Sequence, residues 1–166
     1  MNHIYLIGFM GSGKTTVAKI LGKKMNRPVV ELDDVIEEKI GITISEMFAN
    51  HGEKAFRDVE QEVLKEISDK ESLIVSCGGG VVLRQENCQV MKGTGKAVLL
   101  YAEPSVLVER LKNDTKRPLL ANDASLERIT NLLMRRILMY EEAADIFVDT
   151  TNKTPEEVAD EIMTKL

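Results

Sequence analysis

Hydrophobic positions along the chain fall into short unbroken runs separated by stretches with helical spacing. Ile4-Tyr5-Leu6-Ile7 predicts a first strand, and Val17, Ala18, Leu21 and Met25 predict the helix that follows it. Val29-Val30-Glu31-Leu32 predicts a second strand ending at Asp33-Asp34, after which Val35, Ile36, Lys39 and Ile40 take up helical spacing until Gly41 closes it. Thr43 or Ser45 is placed to cap a short helix holding Met47 and Phe48, which His51-Gly52 ends. A longer helix then carries Phe56, Val59, Val63 and Ile67 on one stripe. Leu73 to Cys77, Ala97 to Tyr101 and Ile146 to Asp149 predict three more strands. Pro104 opens a helix through Val106, Leu107 and Leu111, and residues 125–144 form another through Leu126, Ile129, Leu133, Ile137 and Tyr140. Thr154-Pro155-Glu156-Glu157 reads as a capping box that starts the last helix, which packs through Val158, Ile162 and Leu166.

Apolar runs without alternation, set between helices, indicate a parallel sheet covered on both faces, hence an α/β fold. Residues 34–62 form a helical excursion between two strands where a doubly wound fold usually has one helix, and so are a candidate substrate-binding insertion. Residues 112–124, polar at both ends with Pro118 inside, read as a mobile lid loop. No repeat or linker divides the chain, so residues 1–166 are read as one domain.

The most informative stretch joins the first strand to the first helix. Gly8-Phe9-Met10-Gly11-Ser12-Gly13-Lys14-Thr15 fits Gly-x-x-x-x-Gly-Lys-Thr, the phosphate-binding P-loop. Its glycines let backbone N–H groups curl around phosphates, and the helix that follows presents unpaired N–H groups and a positive dipole end. Lys14 would reach the β- and γ-phosphates, and the Thr15 hydroxyl would ligand Mg²⁺. The bland alternative is a glycine-rich turn with an exposed lysine.

Other polar groups fall beyond the carboxyl ends of the strands, where open α/β sheets bind ligands. Strand alternation sets Glu31 and Asp33 on one side, suited to the metal shell and to a substrate hydroxyl, although Asp33 or Asp34 would also serve as a helix cap. Gly78-Gly79-Gly80 offers bare N–H groups to a small polar ligand, or is a tight turn forced by close packing. Arg57 follows the core-facing Phe56 but in isolation reads as an ordinary solvated arginine. Arg117, in the proline-bearing loop, is placed to swing onto the γ-phosphate. Arg135-Arg136 stand among Leu132, Leu133, Ile137 and Tyr140, so one of the pair should meet an anion, from a ligand or from the chain itself.

Composition narrows the ligand classes. A chain of 166 residues, 43% hydrophobic and 30% charged, is long enough for one real core and not disordered by default. A net charge of −5, 4% aromatic residues and no Trp argue against nucleic acid or an anionic membrane as partner, so a local basic cluster must hold any anion. Cys77 and Cys88 lack zinc-site spacing and read as buried thiols of a reducing cytosol. No signal peptide or membrane-length apolar segment is seen, so a cytoplasmic protein is expected, and a monomer by default because no exposed apolar stripe stands out.

Together these residues resemble the shikimate kinases, members of the nucleoside-monophosphate-kinase-like P-loop group. The resemblance rests on GFMGSGKT at 8–15, ELDDVIE at 31–37, FR at 56–57, CGGGVV at 77–82, RPLL at 117–120 and the spacing from Arg136 to Tyr140. It implies ATP-dependent phosphorylation of the shikimate 3-hydroxyl, in the route to chorismate and the aromatic amino acids, on a five-stranded parallel sheet of order 2-3-1-4-5. It implies that Gly11, Ser12, Gly13, Lys14, Thr15 and Thr16 hold ATP, with Arg110 and the segment Lys153 to Pro155 flanking the adenine. Lys14, Asp33 and Arg117 would carry catalysis. Asp33 would hold the substrate hydroxyls, while Arg57 and Arg136 clamp the carboxylate beside Gly78, Gly79 and Gly80. Mg²⁺ would be held by Thr15 and Glu31; the latter stands where the family usually has Asp. Rival readings are a kinase for gluconate or a nucleoside monophosphate, and a switch GTPase. The last would need Asn-Lys-x-Asp, whereas Asn152-Lys153-Thr154-Pro155 has proline at the essential carboxylate.

Overall fold

A computed structural model describes residues 2–112 and 125–166. Five parallel strands form one sheet in the order β2-β3-β1-β4-β5: β1 His3–Ile7, β2 Val29–Glu31, β3 Ile74–Ser76, β4 Gly95–Tyr101 and β5 Ile146–Asp149. This is the α/β fold that the sequence predicts and the strand order that the resemblance implies. Between the strands lie α1 Lys14–Met25, α2 Leu32–Ile40, α3 Ile44–Ser68, α4 Gln85–Thr94, α5 Pro104–Leu111 and α6 Leu126–Ala143, with α7 Pro155–Lys165 last.

Alternation along β1 builds the two halves of the core. Tyr5 and Ile7 face the cluster under α3, α4, α5 and α6, while Ile4 and Leu6 face the one under α1 and α7. Leu6 and Glu31 are both in register with Ser76 on β3. The chain therefore leaves three adjacent strands at one level, and the segments beginning at Gly8, Leu32 and Cys77 start from a common edge.

Several elements differ from expectation. The second strand stops at Glu31, and α2 takes Asp33 and Asp34 into its first turn. Neither acid caps that helix, whose N-cap is Glu31 without a side-chain hydrogen bond. The two predicted helices around Gly52 run on as α3 with a break there, at φ 84° and ψ 171°. Thr43 caps α3 by accepting from the Glu46 N–H, and Thr154 forms the predicted capping box with Glu157. Helix α4, with its Gln, Asn and Gly positions, has no apolar stripe to announce it. The outer face of α6 exposes Met134 and Leu138, at 62% and 73%, contrary to the expectation of no exposed apolar stripe. Of the predicted lid loop, residues 113–124, and Arg117 with them, lie outside the described residues. Among the described residues no helix is long and apolar enough to cross a membrane.

Candidate active site

The P-loop forms because its backbone goes where side chains cannot follow. Gly8 has φ 145°, and a methyl there would overlap the Leu100 carbonyl on β4; Gly13, at φ 94°, is the N-cap of α1. Lys14 is buried, and its ammonium donates to the carbonyls of Gly8 at 2.6 Å and Phe9 at 3.0 Å. Ser12 is buried beside it, while Thr15 and Thr16 are exposed on the first turn of α1.

The Thr15 hydroxyl donates to Glu31 Oε2 at 2.8 Å, joining the helix start to the end of β2. Burial pushes the Glu31 carboxyl above the usual carboxylate range, with the hydrogen bond from Thr15 acting against it. Thr15 and Glu31 fit a hard divalent cation in donor type, since both offer oxygen. Among the described residues no group of three His, Cys, Asp or Glu could hold a metal, so phosphate oxygens must complete any shell.

On the outer side of the P-loop, Arg110 donates from Nη1 to the Gly11 carbonyl at 3.1 Å and to Thr150 Oγ1 at 3.4 Å. Arg110 thereby ties α5 to the end of β5. Lys153 lies in the same turn, but its ammonium is drawn to Glu161 at 2.6 Å, and Pro155 forms the first turn of α7.

Next to the P-loop is a cavity of about 570 Å³. Thr15, Glu31, Asp33 and Asp34 line one side, Phe48, Phe56, Arg57 and Glu60 another, and Gly78, Gly79, Gly80 and Arg136 the floor. Two of the three glycines are bare because charged side chains take the space of a Cβ, whereas a Cβ at Gly79 would meet only ordinary contacts. At Gly78 a methyl would lie 2.9 Å from Asp33 Oδ1 and 3.2 Å from Glu60 Oε2; at Gly80 it would overlap the Arg57 guanidinium. The run is therefore more than a tight turn: it lets two acids and an arginine close over the backbone.

Arg57 is only 7% exposed, which corrects its reading as a solvated arginine. Its Nη1 donates to Glu60 Oε1 at 3.0 Å, and Nε and Nη2 reach Glu53 Oε2 at 3.3 Å. Both arms of the fork are thus held by acids of α3, and the guanidinium lines the cavity. Arg136, not Arg135, is the buried member of its pair. Its Nη1 has no hydrogen-bond partner among the described residues and lies 3.6 Å from the Cβ position of Gly79. An orphaned buried guanidinium nitrogen calls for an anion.

Glu60, fully buried on α3, has no counterpart in the sequence reading. Burial pushes its carboxyl up, against the pull of Arg57 and Arg136. The i,i+3 spacing from Arg57 was the available signal. Cys77 sits beneath the site, and burial raises its thiol, so it stays protonated and unreactive.

Nucleotide side and cavity share one wall. The Gly79 Cβ position is 3.5 Å from the Met10 nitrogen and 3.8 Å from the Gly8 carbonyl oxygen that Lys14 holds. Arg57, Arg136 and Asp33 thus open onto one space beside the P-loop. Such an arrangement can align a phosphate chain with a small polar anion.

A family model described as shikimate kinase matches residues 10–166. The shikimate kinase of Thermodesulfovibrio yellowstonii is 47% identical over 163 residues, which cover 98% of this chain and 94% of that one. Among solved structures, a shikimate kinase from Acinetobacter baumannii in complex with shikimate has a TM-score of 0.95 and 33% identity, covering 99% of this chain and 92% of that one. That from Aquifex aeolicus has a TM-score of 0.84 and 40% identity, covering 98% and 94%.

Proposed function

The chain belongs to the shikimate kinase family and catalyses the ATP-dependent phosphorylation of shikimate; on that premise we propose that it transfers the γ-phosphoryl group to the 3-hydroxyl through the residues gathered beside the P-loop. One observation carries this reading: Arg57, Arg136 and Asp33 line one cavity, and its glycine wall touches the P-loop backbone. Two guanidinium forks at the cavity wall match a carboxylate bidentately. The acids opposite suit hydroxyl donors.

Lys14, released from the Gly8 and Phe9 carbonyls, moves onto the β- and γ-phosphates, which lie against the P-loop N–H groups. Thr15 and Glu31 hold Mg²⁺, which neutralises phosphate charge when bound. Asp33 orients the attacking hydroxyl and accepts its proton as the new O–P bond forms and the bond to the ADP oxygen breaks. Arg57 and Arg136 fix the acceptor's carboxylate, turning a bimolecular encounter into an aligned one. Arg117, which lies outside the described residues, is assigned to the phosphates, while Arg110 and the turn from Lys153 to Pro155 flank the adenine. Residues 34–62 act as the substrate-binding insertion.

The two thiols, Cys77 and Cys88, are free, which supports work in a reducing compartment such as the cytoplasm. A coupled ADP-release assay over shikimate, gluconate and nucleoside monophosphates tests the substrate. Turnover only with shikimate, and a raised shikimate KM in Arg136→Ala at little cost in ATP KM, are expected. Normal shikimate binding by that variant removes Arg136 from the carboxylate clamp.

A further inference from the structure

Tyr140 is completely buried on α6, one turn beyond Arg136, and its hydroxyl donates to the Gly79 carbonyl in the cavity floor. A phenol this deep inside a core normally serves packing, and burial raises it above the usual phenol range, so the hydroxyl keeps its proton and remains a donor. Its acceptor is what sets it apart. The peptide between Gly79 and Gly80 is planar and trans, so holding the carbonyl toward α6 turns the Gly80 N–H the opposite way. Two glycines in sequence have no side chains to resist rotation of that plane. A Cβ built at Gly79 would lie 3.6 Å from Arg136 Nη1, so rotation of that peptide disturbs the seat of the carboxylate fork.

We infer that Tyr140 is a positioning residue for shikimate: through the Gly79 carbonyl it sets the plane of the 79–80 peptide, and with it the direction of the Gly80 N–H and the seat of Arg136. This rests on the placement of shikimate against Gly78 to Gly80 and Arg136 given above. It adds a residue that touches neither substrate and yet sets the affinity for one of them.

Tyr140→Phe tests it, because the ring and its packing stay while the donor is lost. The expected result is a roughly tenfold rise in shikimate KM, the size of one orphaned carbonyl and one misaligned fork. The ATP KM should stay within about twofold and the circular-dichroism spectrum should match wild type. A purely structural hydroxyl would instead lower thermal stability and move both KM values together, which overturns the proposal, as does an unchanged shikimate KM. Arg136→Ala is measured alongside: if it loses shikimate affinity while Tyr140→Phe does not, the positioning role fails and the site stands. If neither variant alters shikimate binding, the site assignment itself has failed. Should Tyr140→Phe not fold, 3-fluorotyrosine at position 140 keeps ring and donor. Its ¹⁹F resonance should then shift with shikimate and not with ADP, and a resonance indifferent to shikimate overturns the inference.

Discussion

Glu60 and Arg57 stand one turn apart on α3 and meet 3.0 Å apart behind the glycine floor, with Glu60 sealed from solvent and one of its oxygens left without a hydrogen bond among the described residues. The pair fixes the guanidinium that faces the cavity. Without Glu60 the buried Nη1 of Arg57 loses its acceptor and only Glu53 is left to hold the fork, so Glu60→Ala should cost about 1–3 kcal/mol in denaturant unfolding. A loss below about 1 kcal/mol would mean the pair is not closed in solution.

The same carboxyl makes stability depend on pH. Burial raises the folded value above that of the unfolded chain, so the native state keeps a proton that the unfolded state has released. Stability is then fullest below the ordinary carboxylate range of about 4 and falls as pH rises toward the raised value. Glu60→Gln has no proton to lose, so its stability relative to wild type should improve from about pH 4 to pH 7. Parallel urea unfolding series check this, and a constant difference across that range contradicts it.

Two glycine substitutions should fail in different ways. At Gly80 the added methyl meets the tip of Arg57, which can move, so Gly80→Ala should fold and lose kcat/KM by on the order of a hundredfold through the displaced fork. At Gly8 it meets the Leu100 backbone at a positive φ, and Gly8→Ala should lose about 2–3 kcal/mol of stability. Melting curves set beside steady-state kinetics separate the two, and matching profiles would remove the distinction.

Arg84 braces the helix that carries Arg57. Its fork spans Asp58 at 2.7 Å and Gln61 at 2.9 Å, each the residue after one half of the buried pair. Arg84→Ala should raise shikimate KM by roughly two- to fivefold with ATP KM unchanged. Arg84→Lys, able to keep only one arm, should fall between them. Equal kinetics for all three proteins would leave the brace without a role.

Arg117 carries the remaining prediction. Arg117→Ala should lower kcat on the order of a thousandfold while shikimate KM changes little. Single-turnover measurements locate the loss in the chemical step, and an unchanged kcat excludes Arg117 from it.

The P-loop and the five strands were legible because each rests on local pattern, a motif, an apolar run or a cap, whereas the strand order came only with the family resemblance. What escaped depends on neighbours far apart in sequence. A three-residue β2 left no strand for Asp33 to alternate on, and α2 carried it to the cavity instead. Arg57 seemed solvated because, although Glu60 lies three residues on, nothing in the local sequence shows that the pair is buried or that Gly80 lies against it. Helix α4 earned its place from packing on α3 and β4, since its own residues have little amphipathic preference.

The glycine at position 79 stands between the P-loop and the cavity: a Cβ there would lie 3.5 Å from the Met10 nitrogen and 3.6 Å from Arg136 Nη1. Strain carried across so narrow a wall would link the two ligands. Thermodynamic reciprocity then requires that the hydroxy acid change nucleotide affinity by the same factor as nucleotide changes its own.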